Sequence, residues 1–448
     1  MSANLLVKNI ISQSILQIAN LVLPFITIPY ITKIIGPANF GVLNYAAAVV
    51  TYFTLIVNYS FDMNASRAVA QNPGDKALIN KIFSEILYTK IFLFLTCIIA
   101  FIFLLKYLPQ LNQNGEVAIY SFIVVAGWVI TPNWLFQGMQ QLAKIAMFNL
   151  FAKLIFTISI FFVIHSKQHY IWQPLILSIS QVVVGLASFL YAIKRFGVRI
   201  IKLPLKNIFI VLKQGKHLFF SLVTISLYSN STIIILGFFL LPIDVGYYSA
   251  SFRLIITAIT VLSIPLNQAL FPFISASFSV SYQQGIKELQ RIFPLCLLFS
   301  FLYSAVFFVF APLIIHLFYG VHFNQSIGVL RTLSMVPFLI SINSFLGIHA
   351  LLNLKKDKQF FNITLISAIA GILATTVLGF YFGLTGGAFS WLIAEIFNVI
   401  LFYFALRKLS INLFSPEYFS FSYIRNTLIK VATNTRGRLL KPKVINVN

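Results

Sequence analysis

Long apolar stretches alternate with short polar ones along the whole chain of 448 residues. A helix needs about 20 mostly apolar residues to cross a hydrocarbon core roughly 30 Å thick. The apolar stretches are continuous, whereas the strands of a transmembrane barrel alternate apolar and polar residues over about ten positions. The sequence therefore predicts twelve membrane-spanning helices, approximately at 10–32, 40–61, 82–105, 117–135, 146–164, 172–193, 218–240, 254–276, 292–319, 330–352, 361–382 and 386–406.

Lys and Arg residues are concentrated on one side of these spans. With the N-terminus inside, 25 of the 32 basic residues fall in cytoplasmic segments and four in the opposite loops. Short cytoplasmic loops of membrane proteins are enriched in Lys and Arg, so both termini are predicted to be cytoplasmic. The opposite loops are short, which leaves no room for a periplasmic catalytic domain.

A basic hydrophilic segment at 194–217 divides the twelve spans six and six. Because six is even, both halves enter the membrane in the same sense, as parallel repeats do. A Pro-x-x-x-Gly pattern at 37–41 and again at 242–246 supports a repeat, although such a pattern is also ordinary turn chemistry. We predict an all-α integral membrane protein with two six-helix lobes around a central cavity. Its parts are the lobes 1–193 and 218–406, the cytoplasmic linker 194–217 and a basic cytoplasmic tail at 407–448.

The composition excludes several classes of protein. Apolar residues make up 59% of the chain and charged residues 9%, whereas a soluble domain has roughly 25% charged residues. The formal net charge of +23 does not indicate a nucleic-acid partner, because the basic residues lie between apolar runs rather than on a soluble fold. Cys97 and Cys296 both lie within apolar stretches, and neither a P-loop nor an H-E-x-x-H motif occurs. We therefore expect no cofactor, no metal site and no ATP hydrolysis.

Basic residues within the spans are candidates for function, because charge at membrane depth is costly. Lys90 and Lys153 each lie roughly 12 Å along a span from its cytoplasmic end. Arg253 and Arg331 lie near the outer ends of spans eight and ten. Long basic side chains can extend to the headgroups from such positions. Alternatively, they form a cationic cleft that receives phosphate or acidic sugars.

Glu395 lies nine residues into span twelve, near the predicted bilayer midplane. A carboxyl group that exchanges a proton at this depth could couple transport to a proton gradient. The alternative is a neutral acid that is hydrogen-bonded to neighbouring helices. The sequence leaves both interpretations of Glu395 open.

Three N-terminal segments carry a resemblance to a known family: LPFITIPY at 23–30, GPANFG at 36–41 and YSFDMNASR at 59–67. Together they resemble the start of polysaccharide-biosynthesis flippases of the Wzx type. These flippases belong to the superfamily that also holds multidrug exporters and the peptidoglycan-precursor flippase. The specific motifs cover about the first seventy residues, and Ser60 stands where family members often have Gly.

The resemblance implies a transporter of the bacterial inner membrane rather than an enzyme. Its cargo would be an undecaprenyl-pyrophosphate-linked oligosaccharide, an O-antigen or related repeat unit, that moves from the cytoplasmic to the periplasmic leaflet by alternating access. Arg67 matches the basic residue that closes the family's span-two motif, which implies a place at the cytoplasmic mouth near the pyrophosphate. The implied partners are membrane lipids, a polysaccharide polymerase and a chain-length regulator.

Other functions remain open at this point. A cation-coupled multidrug exporter should carry acidic groups in its cleft, and the basic residues within the spans argue against it. A peptidoglycan-precursor flippase of the same superfamily is poorly separated by sequence. A membrane polysaccharide polymerase usually needs a large outer loop, and an acyltransferase with an intramembrane His would need a supporting set of residues that the sequence does not display.

Overall fold

The fold is built from helices. The computed structural model describes residues 3–420, 422–423 and 425–426, with the backbone alone at 3–21, 225, 228, 229 and 264. Within these residues the regular elements are α-helices, two short 3₁₀ turns and one π-helical segment, and no strand occurs. The predicted all-α class is therefore confirmed.

The first eight α-helices precede the middle of the chain. They are α1 (Ala3–Asn58), α2 (Phe61–Gln71), α3 (Lys76–Tyr107), α4 (Pro109–Gln113), α5 (Gly115–Ile130), α6 (Asn133–Gly138), α7 (Leu142–Val163) and α8 (Trp172–Phe196). The following seven are α9 (Lys206–Phe239), α10 (Pro242–Val280), α11 (Tyr282–Val309), α12 (Ala311–Tyr319), α13 (Ser326–Leu333), α14 (Val336–Asn343) and α15 (Asp357–Lys408). The π-helical segment Ser344–Leu352 continues from α14.

The predicted spans are found in these helices. Nine helical stretches of the described chain are long and apolar enough to cross a membrane. Two of them contain a backbone break that falls between predicted spans, at Gly36 (φ 75°) and Gly383 (φ 58°). Glycine has no Cβ and adopts such positive φ values without steric cost. With these breaks and with α9, whose described apolar part is Asn230–Phe239, the twelve predicted spans are accounted for.

The helices form two compact units that do not follow chain order. The first unit comprises the described residues up to Leu254 together with Phe310–Thr332 and Ala368–Trp391. The second comprises Ile255–Val309, Leu333–Ser367 and the described residues from Leu392 onward. Each has its own buried cluster of large apolar side chains, around Phe83, Trp134 and Phe136 in the first and around Phe293, Phe345 and Phe402 in the second.

The two Pro-x-x-x-Gly segments pack directly against each other within the first unit. A Cβ built on Gly41 would lie 1.8 Å from the carbonyl oxygen of Pro242, and one built on Gly246 would lie 2.0 Å from that of Pro37. Each glycine therefore admits the backbone of the other segment. Such reciprocal contact, in which the same positions meet in exchanged roles, is what a two-fold relation produces. This supports the internal repeat, while the lobe boundaries stay a prediction.

Candidate functional site: a cationic cavity

A cavity of about 360 Å³ lies among the helices of the first unit. Its walls come from α1, α5, α7 and α8, and from one residue of α10. Apolar side chains make up much of the lining, and a set of neutral polar side chains interrupts them: Thr27, Asn44, Thr51, Thr54, Ser121 and Gln173. The charged residue in this lining is Arg253. The cavity is thus a mainly apolar space that carries one cation and several neutral polar groups.

Arg253 is oriented by a hydrogen bond to α1. Its Nε donates to Oδ1 of Asn44 at 2.7 Å, and Nδ2 of Asn44 donates to the carbonyl oxygen of Phe40 at 2.7 Å. The second bond fixes the amide, so that its oxygen is presented to the guanidinium. A guanidinium has five N–H donors in a planar fork that matches phosphate and carboxylate oxygens. Arg253 is therefore suited to bind an oxyanion in this cavity.

Lys153 lies in a second cavity, of about 270 Å³, in the same unit. The two cavities share three lining residues, Trp128, Phe156 and Leu177, so they adjoin. Asn149, Ser180 and Gln181 add neutral polar groups around Lys153. The structure therefore brings two of the predicted basic residues, Arg253 and Lys153, to neighbouring cavities with a common wall.

The common wall depends on a close crossing of α5 and α8. A Cβ on Gly127 would lie 2.8 Å from the Cγ atom of Gln181, and one on Gly185 would lie 2.8 Å from the carbonyl oxygen of Gly127. Small residues at a helix crossing allow backbones to approach closely within a membrane. The crossing holds Trp128 next to Gln181, which places both in the lining of the Lys153 cavity.

Lys90 has different surroundings from Arg253 and Lys153. Its side chain is buried, and its ammonium donates to Oδ1 of Asn58 at 3.1 Å and to the carbonyl oxygens of Trp128 at 2.9 Å and Thr131 at 3.4 Å. Pro132 has no N–H and cannot donate to Trp128, four residues earlier, as the next helical residue would. Lys90 supplies the donor that Pro132 lacks, at the point where α5 ends.

Arg67 and Arg331 lie outside both cavities. Arg67 is exposed on α2, and Arg331 is exposed on α13. Neither belongs to the lining of the Arg253 cavity or of the Lys153 cavity. The roles predicted for them from the sequence stay predictions.

Glu395 belongs to the second unit. Its side chain is 1% exposed. Nδ2 of Asn343 donates to Oε2 of Glu395 at 2.7 Å and to its backbone carbonyl oxygen at 3.2 Å. Asn343 is the last residue of α14, directly before the π-helical segment, and π-helical turns are frequent at functional sites. The geometry is compatible with both interpretations of Glu395.

Trp128 and Gln181 were missed by the sequence analysis. Trp128 is a single aromatic residue in an apolar stretch, and nothing in the sequence distinguishes it from lipid-facing residues. Gln181 is a polar residue in the middle of span six, which is a usable signal because uncompensated polar groups are costly there. Among the residues that the structure describes, no three His, Cys, Asp or Glu side chains come together as a metal site.

Comparison with known proteins identifies the family. A family model described as "Polysaccharide biosynthesis protein" matches residues 6–278, more than half of the chain. The chain belongs to this polysaccharide biosynthesis protein family. The resemblance inferred from the N-terminal motifs is thereby confirmed. A relative in Escherichia coli (strain K12), named "Putative O-antigen transporter", is 27% identical over 389 residues, which are 87% of this chain and 93% of the relative.

Solved structures share the fold of this family member. The lipid II flippase MurJ, in an inward closed conformation, matches with a TM-score of 0.75 and 14% identity over 96% of this chain and 94% of its own. An inward-facing MATE-family multidrug resistance transporter matches with a TM-score of 0.64 and 15% identity over 86% of this chain and 98% of its own. Sequence identities this low show a shared fold and nothing about function. The fold is thus a multi-span helical membrane fold that transporters use.

Proposed function

We propose that this protein is a flippase for an anionic, lipid-linked oligosaccharide. In this proposal the cargo is an undecaprenyl-pyrophosphate-linked repeat unit of O-antigen or a related polysaccharide. It moves from the cytoplasmic to the periplasmic leaflet of the bacterial inner membrane by alternating access. No covalent bond of the cargo changes, so the protein acts as a transporter and needs no cofactor.

The observation that carries the proposal is the cationic cavity around Arg253. A pyrophosphate cannot cross about 30 Å of hydrocarbon without a partner for its charge. Arg253 offers a planar fork of donors, and Lys153 in the adjoining cavity offers an ammonium. Two cations in cavities that share a wall match a group that carries more than one negative charge.

The neutral part of the lining suits the sugars. The cavity-lining hydroxyls of Thr51 and Thr54 already donate to carbonyl oxygens of α1 and offer acceptors, whereas Ser121 and Gln173 can both donate and accept hydrogen bonds. Sugar hydroxyls have the same dual character, so each lost bond to water can be replaced. The prenyl tail needs no such replacement, because it can remain in the lipid while the head crosses.

Arg67 and Arg331 have supporting roles in this proposal. Both are exposed, so they can meet the charged head before or after it occupies the cavity. Arg67, which closes the N-terminal family motif, is proposed as the entry contact at the cytoplasmic mouth. Arg331 is proposed as a contact towards the periplasmic side.

Glu395 is proposed as the proton-coupling group. It is buried and hydrogen-bonded to Asn343 at 2.7 Å, next to a π-helical segment. Ionisable residues within membrane spans are typical of proton relays. Protonation would change which atoms of the Asn343 amide can pair with the carboxyl group, and this provides a local change that transport could use.

The surroundings of the protein follow from the cargo. We place both termini in the cytoplasm, because 25 of 32 Lys and Arg residues then lie on that side. The repeat unit would be delivered to a polysaccharide polymerase and a chain-length regulator on the periplasmic face. Membrane lipids contact the outer surface, and nucleic acid has no role.

A multidrug exporter for cations is disfavoured by the charge of the cavity. A cationic drug would enter a space lined by Arg253, where like charges repel. A peptidoglycan-precursor flippase would need the same cationic chemistry, so the two flippase functions differ in the sugars. The experiment therefore has to compare cargoes.

The test uses the purified full-length protein in liposomes. A fluorescent oligosaccharide on a prenyl pyrophosphate is placed in the inner leaflet, and its appearance outside is measured with a membrane-impermeant quencher. We expect rapid appearance with the protein and none in empty liposomes.

Two other cargoes decide between the alternatives. Transport of a cationic dye with no movement of the oligosaccharide would identify an exporter, and movement of lipid II alone would identify a peptidoglycan-precursor flippase. Movement of the oligosaccharide in preference to both supports the proposal. Absence of any movement would contradict it.

A further inference from the structure

The segment that follows α8 is fixed along α3. Residues 197–205 are non-helical, and two of their backbone amides bond to side chains of α3. The amide of Arg199 donates to Oδ1 of Asn80 at 2.8 Å, and the amide of Ile201 donates to Oγ of Ser84 at 2.9 Å. At the second residue of α9, Nδ2 of Asn207 donates to Oε1 of Glu85 at 2.9 Å. The linker is therefore held in a defined place against this helix.

A groove of about 280 Å³ lies between α3 and this segment. Its α3 wall consists of Glu85, Tyr88, Ile91, Phe92 and Leu95, and its other wall runs from Leu203 to Ile208. The α3 residues recur every three or four positions, so they form one stripe about 15 Å long. None of these residues lines the two cationic cavities of the same unit. The groove is a separate site.

The groove faces the surroundings of the protein rather than a packed core. Leu95 is 55% exposed and Leu205 is 76% exposed. Leu95 belongs to a helix long and apolar enough to span the membrane, so the neighbours of this stripe are lipids. An acyl chain can follow it from Leu95 towards Tyr88.

The polar end of the groove carries the carboxylate of Glu85, and two lysines neighbour its other wall in sequence. Glu85 closes the stripe, and Asn207 occupies one of its oxygens, Oε1. Lys202 and Lys206, both exposed, flank the lining residues Leu203–Leu205 in sequence. A carboxylate in the lining, with lysines next to the lining residues in sequence, complements a headgroup that has an ammonium beyond its phosphate. A purely anionic headgroup would meet Glu85 without any compensating charge of its own.

We infer that this groove binds a phospholipid with a primary ammonium headgroup, for which phosphatidylethanolamine is the test lipid. Its ammonium donates to Glu85, its phosphate lies between Lys202 and Lys206, and one acyl chain follows the stripe from Tyr88 to Leu95. A choline headgroup has the same phosphate and charge but no N–H donor. The prenyl tail of the proposed cargo fits the apolar stripe less well, because it would place a pyrophosphate beside Glu85.

The experiment compares headgroups on identical acyl chains. Binding of phosphatidylethanolamine, its mono- and dimethyl derivatives, phosphatidylcholine and phosphatidylglycerol to the purified full-length protein is measured by native mass spectrometry and by the unfolding temperature in detergent. We expect affinity to fall along the methylation series, by about tenfold from ethanolamine to choline, since a hydrogen bond to a charged group is lost. This comparison needs no variant.

Variants assign the preference to Glu85. Glu85→Gln keeps an acceptor for Asn207, so the fold is retained, but it removes the charge; we expect ethanolamine and choline lipids to bind equally. Glu116→Gln removes an exposed carboxylate of α5 outside the groove and should keep the wild-type preference. Equal binding of the two lipids by the wild type, tighter binding of phosphatidylglycerol, or a preference that survives Glu85→Gln would each overturn the inference. The readout is lipid binding, so it stands or falls independently of transport.

Discussion

Lys90 and Arg253 are basic side chains of the same compact unit, and the structure uses their donors in different ways. Lys90 is 3% exposed, and its ammonium donates to three protein oxygens on α1 and at the end of α5. Arg253 donates its Nε to Asn44 and lines a cavity of about 360 Å³. A charge within membrane helices is costly in both places. What separates a charge that stabilises the fold from one that can meet a cargo is whether it lies beside open space.

Lys153 lies between these two cases. Like Arg253, it lines a cavity. Like Lys90, it has Trp128 of α5 as a neighbour, because Trp128 lines the same cavity. Trp128 connects all three basic residues, because its carbonyl oxygen accepts from Lys90 and its side chain belongs to both cavity walls. Removing each basic group in turn should therefore give different results.

The largest effect on stability is expected for Lys90→Met. Met fills similar space but leaves Asn58, Trp128 and Thr131 without their donor, and an orphaned buried acceptor costs about 1–3 kcal/mol. We expect a free energy of unfolding lower by about 3 kcal/mol or more, measured by thermal or denaturant unfolding of the purified protein. Lys81→Met, exposed on the same helix, is the matched control and should change little. Normal unfolding with reduced transport in Lys90→Met would instead place Lys90 on the path of the cargo.

The largest effect on transport is expected for Arg253→Gln. The loss of a charge-assisted contact with pyrophosphate corresponds to about a tenfold or greater decrease in rate. The readout is the rate of oligosaccharide movement per folded molecule in liposomes, with the unfolding temperature measured alongside. Arg195→Gln, exposed at the end of α8, is the matched control. A wild-type rate in Arg253→Gln would remove the cavity from the mechanism.

A smaller decrease in transport is expected for Lys153→Gln. The Lys153 ammonium is a point charge without the planar fork of donors of a guanidinium, so its contact with a phosphate is less specific than that of Arg253. We expect a decrease of about threefold to tenfold, corresponding to roughly 1 kcal/mol. Lys106, which is exposed at the C-terminal end of α3, provides the control variant Lys106→Gln. If Lys153→Gln destabilised the protein as much as Lys90→Met, Lys153 would also be a residue that stabilises the fold.

The smallest effect is expected for Glu395→Gln at a single pH. Gln can still accept from Asn343, so the fold should be retained, and the rate at neutral pH should remain within about twofold of wild type. Its dependence on an imposed pH gradient should disappear, because the amide cannot exchange the coupled proton. A gradient dependence that persists in Glu395→Gln would exclude this residue as the coupling group.

The twelve spans could be predicted from the sequence because each needs only a long apolar run. The breaks at Gly36 and Gly383 fall where the runs are interrupted. Helix α9 begins at Lys206, within the segment 194–217 that the sequence predicts as a linker. There Ile208 to Leu212 is an apolar run between lysines. The basic residues lower the mean hydropathy of the whole segment, so it does not reveal the helix.

The site was harder to predict, because the depth of a basic residue along a span does not reveal which groups surround its side chain. Lys90 and Lys153 have almost the same depth, and Arg253 and Arg331 both lie near outer ends of spans. In each pair one residue lines one of the two cationic cavities and the other lines neither of them. One signal was available for Lys90. Pro132 lies in the apolar run of span four, which implies a carbonyl group without its helical donor and hence a need for a buried donor nearby.

The central claim is that Arg253 recognises the negative charge of the cargo, and the most direct measurement compares two cargoes that differ in that charge alone. One carries the oligosaccharide on a prenyl pyrophosphate, and the other carries it on the same prenyl chain through an uncharged linkage. The ratio of their transport rates is measured in liposomes for the wild type and for Arg253→Gln. We predict that Arg253→Gln lowers the wild-type ratio by about tenfold, and that the remaining preference of about threefold to tenfold for the charged cargo comes from Lys153. The same ratio in both proteins would contradict the account.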